Sequence, residues 1–178
     1  MFQYFYRDIA SMMRFVPLGL AIGIPLAMIL APIINKKREK REEKCLFLPL
    51  FFLWCICVAV ILAITLLSRE SGSSNSTMDL KLFSTFGINR RNDAYIAENI
   101  VLFIPYGLLS ACNFKQCRNL VKSILIGFAG SLFIESMQLI TGRGIFQIDD
   151  IMTNTVGMLA GCILYHICSC FRRKKDPK

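Results

Sequence analysis

A chain of 178 residues with 54% hydrophobic content, a mean hydropathy of +0.51 and only 19% charged residues has too little polar surface to wrap a soluble domain of this size. The formal net charge of +9 does not mark a nucleic-acid partner, because the Lys and Arg residues fall in short clusters beside apolar runs, where anionic lipid headgroups are the nearer counter-charge. What remains is an all-α fold, a polytopic integral membrane helical bundle whose solvent is mostly lipid.

The first apolar run, residues 15 to 34, is longer than a signal-peptide core. Its basic cluster, Lys36 to Lys44, follows the run instead of preceding it, so it reads as a retained helix. The second, 46 to 67, is uninterrupted. Ser68 to Tyr95 lies between spans two and three; its Ser-Gly-Ser-Ser-Asn-Ser-Thr start reads as a flexible outer loop, and the tripeptide Asn75-Ser76-Thr77 fits a glycosylation acceptor pattern that chance alone supplies often. Leu80, Leu82, Phe83, Phe86 and Ile88, interleaved with Lys81, Arg90 and Arg91, read as a short amphipathic piece for the headgroup region. Three further runs follow at 96 to 112, 120 to 140 and 150 to 170. Each is about the length that crosses a hydrocarbon core of roughly 30 Å at about 1.5 Å per residue. Glu98, Asn99 and Glu135 interrupt the third and fourth runs, so five spans is the expectation and four the alternative. The chain divides into an N-terminal helix with its basic loop (1–45), a transmembrane domain (46–170) and a basic tail (171–178).

Orientation follows from Lys and Arg near span ends, which are retained in the cytoplasm. The 1–2 loop (Lys36, Lys37, Arg38, Lys40, Arg41, Lys44), the 3–4 loop (Lys115, Arg118, Lys122) and the tail (Arg172, Arg173, Lys174, Lys175, Lys178) together carry fourteen of the 21 basic residues. The expected topology is N-terminus out and C-terminus in. All eight cysteines then fall within spans or on the inner side, as thiols kept out of an oxidising compartment should. Neither Cys112 with Cys117 nor Cys168 with Cys170 has the spacing of a structural zinc pair, and the lone His166 sits on an apolar helix. No metal is expected, and no cofactor is implied by any motif.

An ionisable residue costs about 2.5 to 3.5 kcal/mol at the centre of a span on insertion scales, so such residues face protein or water. Here Glu98 and Asn99 open span three, Glu135 and Gln138 close span four, and Asp149, Asp150 and Asn154 open span five, all at the outer ends. Positions three and four apart share a helix face. Gly127, Ser131, Glu135 and Gln138 therefore form one stripe, and Asp150, Asn154, Gly157 and Gly161 another, with small residues that let backbones approach. Glu135 and Asp150 should meet in one crevice. Arg143, in the turn between these spans, can pair with a carboxylate or a ligand phosphate. Pro105 frees the Val101 carbonyl and should kink span three.

The segments Glu98-Asn99-Ile100-Val101-Leu102-Phe103-Ile104-Pro105-Tyr106-Gly107, Ile134-Glu135-Ser136-Met137-Gln138 and Asp149-Asp150-Ile151-Met152-Thr153-Asn154-Thr155-Val156-Gly157, with the Gly142-Arg143 turn, resemble the VanZ-like family over residues 60 to 168. The first span lies outside that resemblance. It implies a multi-pass protein of the bacterial cell membrane, in a family whose founding member is associated with resistance to the glycopeptide teicoplanin. It also implies Asn99, Pro105, Gly107, Glu135, Gln138, Arg143, Asp150, Asn154 and Gly157 as characteristic positions. Read with the polar clustering, this gives Glu135 and Asp150 as candidate catalytic groups. Asn99, Gln138, Arg143, Asp149 and Asn154 are the candidate ligand contacts, and Pro105, Gly107, Gly157 and Gly161 the structural residues. Expected partners are membrane lipids and a lipid-linked envelope precursor or lipoglycopeptide. Whether a reaction is catalysed stays open, because no Ser-His pair or cofactor motif accompanies the acids. The competing reading is a non-catalytic scaffold or masking protein whose polar residues only pack helices.

Overall fold

The computed structural model describes residues 2–67 and 78–175. The Ser-rich segment 68–77, with its Asn75-Ser76-Thr77 tripeptide, and residues 176–178 lie outside the described residues. Six α-helices carry the fold: α1 (Phe2–Met13), α2 (Val16–Glu39), α3 (Leu48–Leu67), α4 (Arg90–Asn113), α5 (Leu120–Thr141) and α6 (Ile148–Lys175). All but α1 are long and apolar enough to cross a bilayer, which gives the five spans read from the sequence. The short helix α1 was not anticipated; it precedes α2 at the turn Arg14-Phe15.

Helix ends are set by local chemistry. Asn89 caps α4, its side-chain oxygen accepting from the backbone N–H of Arg91 and Asn92. This start lies two turns before the hydrophobic run, so Glu98 and Asn99 sit inside the helix and not at its opening as expected from hydropathy. Asn119 caps α5 through Lys122 N–H. The far end of α5 closes on Gly142 in the left-handed region (φ 62°), with Gly142 N–H on Leu139 O and Arg143 N–H on Gln138 O. That pair of bonds is a Schellman closure, and it is what the Gly-Arg turn is for. α4 remains helical through Pro105.

In lipid the tails are as apolar as the side chains, so helices associate by close van der Waals approach and interhelical hydrogen bonds. α2 lays Gly19, Gly23, Ala27 and Ala31, a buried small residue every fourth position, on α3, where Gly23 meets the backbone of Ile56. α4 and α6 make the most extensive pairing. There Gly157 faces Ile100 O and Phe103, Gly161 faces Ile104 O and Leu108 N, and Gly107 faces the Met158 carbonyl. Gly127 on α5 meets the Met158 side chain from the other flank.

The two ends of the bundle differ in character. At one, Arg38 donates to Asn113 O and Lys44 O, Arg118 donates to Ala111 O, and His166 bonds Arg118 O, so cations cover the carbonyl ends of the helices. None of the eight cysteines is joined in a disulfide; Cys45, Cys168 and Cys170 are exposed toward this end. Burial, followed by the neighbouring Cys162, raises the pKa of Cys117 in the 3-10 turn Lys115–Arg118. At the other end, Met78–Asp79 and Phe146–Gln147 form a two-residue parallel pair (β1, β2) that ties the loop before α4 to the turn before α6. Residues 80–88 are turns and bends and not a helix, with Leu80, Leu82, Phe83, Phe86 and Ile88 facing outward.

A Cβ at position 161 would collide with Ile104 O and Leu108 N, whereas one at position 130 would meet nothing within 4 Å. Gly161→Val should therefore destabilise the bundle by about 1 to 3 kcal/mol or more through overpacking, and Gly130→Ala should be neutral or stabilising by up to about 1 kcal/mol. Thermal unfolding of the two variants in the same detergent checks the contrast.

Candidate functional site

The end opposite the basic loops holds a cavity of about 570 Å³ whose walls come from α1, α3, α4, α5, α6 and the 79–85 loop. Asp8, Asp79, Glu98, Glu135 and Asp150 line it, with Asn99, Gln138, Asn154 and Gln147 among them, and among the described residues Arg14 is the one cation in the lining. Helical stripes read from sequence explain the convergence: Gly127, Ser131, Glu135 and Gln138 are all buried on α5, and Asn154 on α6 reaches Ser131 across the interface.

Each amide commits an N–H to the protein. Asn99 Nδ2 donates to Asp150 Oδ1 at 2.9 Å, Gln138 Nε2 to Thr65 O at 2.9 Å, and Asn154 Nδ2 to Ser131 Oγ at 2.8 Å. A backbone carbonyl can only accept, so the Gln138 amide is oriented without ambiguity. The acceptor halves are left over. Gln138 Oε1, Asn154 Oδ1 and Glu98 Oε1 find no hydrogen-bond donor among the described residues, although Gln138, Asn154 and Glu98 are only 3%, 3% and 4% exposed. Buried acceptors in that condition are uncommon in a finished structure and mark a place where a donor is expected. Glu135, 1% exposed, accepts from Gln147 N–H at 3.0 Å, which fixes its carboxylate against the turn before α6.

Two residues picked from sequence as ligand contacts have other partners. Asp149 is buried and does not line the cavity; its carboxylate accepts from Phe83 N–H (2.7 Å), Thr85 N–H (2.8 Å) and Ser84 Oγ (3.4 Å), clamping the 83–85 loop, where Phe83 holds a positive φ of 62°. Arg143 donates to Leu66 O at 3.0 Å and stands outside the cavity lining. Neither Glu135 nor Asp150 forms an ion pair with it among the described residues, because the helix closure at Gly142 directs Arg143 to the carbonyl end of α3. Glu98 goes the other way: the charge inside a span was visible, but only the longer α4 brings it into the cavity wall. Asp8 and Arg14 come with α1 and its turn, whose amphipathic spacing (Tyr6, Ile9, Met13) was the available signal. Asp79 accepts from Ser84 Oγ at 2.7 Å and from Lys81 N–H at 3.1 Å, and these bonds, the Ser84 one first, hold its carboxyl below the usual range.

The chain's one histidine, His166, is at the opposite end on Arg118 O, and the acids of the described cavity lining are carboxylates. Among the described residues, no three His, Cys, Asp or Glu side chains gather closely enough to hold a metal ion. Replacing Asp149 by Ala removes the acceptor of two part-buried N–H groups, a loss of about 1 to 3 kcal/mol. Hydrogen exchange at Phe83 and Thr85 should speed up in that variant while α4 and α6 amides stay protected.

Comparison with known proteins adds identity to this geometry. The VanZ/LLP1 family model matches residues 46–169, taking in α3 to α6 and leaving α1 and α2 outside. Protein VanZ of Enterococcus faecium is 41% identical over 68 residues, 38% of this chain and 42% of that protein, so the alignment spans less than half of either. No solved structure matches. The chain is a helical membrane protein belonging to the VanZ/LLP1 family.

Proposed function

We propose that the carboxylate-lined cavity is the working site of a bacterial cell-membrane protein, facing the outer leaflet, where it binds or acts on an envelope lipid or lipid-linked glycan and thereby contributes to teicoplanin-type glycopeptide resistance. The observation that carries this reading is the set of buried, donorless acceptors converging on one cavity. Polar groups kept at a cost inside a membrane domain mark function when their hydrogen bonding is left incomplete. The outward assignment is supported by the basic loops at the far end, which belong in the cytoplasm. Glu135 and Asp150 are the groups for proton handling, with Asn99, Gln138 and Asn154 positioning the ligand. Arg143, tied to Leu66 O, serves the architecture of the site as it stands.

One set of bonds favours a second reading. Asn154 to Ser131, Gln138 to Thr65 and Asn99 to Asp150 each cross between helices, as they would in a non-catalytic scaffold held together by polar contacts. The readings separate at Glu135. Its near-isosteric replacement by Gln keeps an acceptor for Gln147 N–H and removes the ionisable group. In a strain lacking the gene, complementation with Glu135→Gln should leave teicoplanin susceptibility at the deletion level while wild type restores resistance, with equal membrane levels of both proteins by immunoblot. Equal rescue by both would favour the scaffold.

A further inference from the structure

The polar cavity does not end at its own wall. A second, apolar groove of about 270 Å³ runs between α1, α3 and α4, and Met12, Ile64, Glu98 and Leu102 line both. Beyond these shared residues the groove is walled by side chains such as Ile9, Val60, Val101 and Pro105, and Glu98 is its one ionisable carboxylate. The two compartments meet at Glu98.

Their chemistry is that of a single amphiphile. Apart from Glu98 and Cys57 the groove is apolar, and among the described residues the cavity offers hydrogen-bond acceptors in excess: five carboxylates and, beside them, the donorless amide oxygens of Gln138 and Asn154. An ammonium has three donors and no acceptor, the complement of such a wall, whereas an anionic head without a donor would face uncompensated repulsion. Arg14, exposed at the rim with its guanidinium 5.0 Å from the Phe15 ring centroid, is the one cation among the described lining residues and the group suited to a phosphate.

Resting on the reading that the cavity serves an envelope lipid, we propose that cavity and groove form one site for a zwitterionic lipid with a primary ammonium head: the ammonium lies among the cavity acceptors, the phosphate at Arg14, and one acyl chain in the groove past Glu98. The site takes aminophospholipid chemistry and rejects anionic heads of the same chain length.

Full-length protein in detergent, supplied with phosphatidylethanolamine, its N-acetylated form or phosphatidylglycerol of matched chains, reports retained lipid by native mass spectrometry. Wild type should hold phosphatidylethanolamine about tenfold more strongly than either other lipid, and Glu98→Gln should reduce that preference. Val101→Trp, at an exposed position lining only the groove, should lower retention of all three. The N-acetylated lipid tests the claim on wild-type protein alone, independent of how any variant folds. Equal retention of the three lipids, lost in Val101→Trp, overturns the ammonium assignment and leaves the envelope-lipid reading standing. Retention of none of them overturns both.

Discussion

The close approach of α4 and α6 is the constraint on which the site depends. Hydrocarbon cannot drive two apolar helices together, so contact requires that backbone atoms come within packing distance, and only glycine at 107, 157 and 161 permits it here. With the helices in that register, Asn99 stands opposite Asp150 and Thr153, and Glu98 is carried to the boundary between cavity and groove. The same helix, α6, meets α5 on its other flank, where Gly127 accommodates Met158 and Asn154 reaches Ser131. Packing residues and site residues thus alternate along one helix, and a change in either disturbs the other.

A cavity lined, among the described residues, by five carboxylates and one cation is a costly way to join helices. Interhelical hydrogen bonds can be made with neutral side chains, and in membrane bundles each contributes on the order of 1 kcal/mol. The amides at positions 99, 138 and 154 already do this with their donor halves. Glu98 Oε1 and the acceptor halves of Gln138 and Asn154 carry a desolvation cost that no donor among the described residues offsets.

Much of this was legible in sequence because it rests on periodicity. Apolar runs give five spans, and the i, i+4 stripes on α5 and α6 bring Glu135, Gln138, Asp150 and Asn154 to one crevice. What escaped depends on partners set by tertiary geometry. Arg143 was read by its charge, yet the left-handed closure at Gly142 turns it to the Leu66 carbonyl. Asp149 was grouped with Asp150 by adjacency, but neighbouring residues on a helix point about 100° apart, and Asp149 faces the 83–85 loop. Hydropathy placed the start of the third span at residue 96, whereas the cap at Asn89 adds two polar turns that stand clear of the apolar run and put Glu98 inside the helix. The twelve residues of α1 are too few to span a bilayer and so leave no hydropathy signal, although they suffice to wall a cavity.

The central claim is that the carboxylate cavity and the basic loops lie on opposite faces of the membrane, with the cavity outside. Labelling of cells with a membrane-impermeant maleimide tests it directly, because the exposed Cys45, Cys168 and Cys170 sit toward the basic end and Ser84 lines the cavity. Wild-type protein should label only after the cells are permeabilised, and the Ser84→Cys variant should gain labelling in intact cells. Labelling of wild type in intact cells, with Ser84→Cys protected until permeabilisation, would invert the topology and contradict an outer-leaflet site.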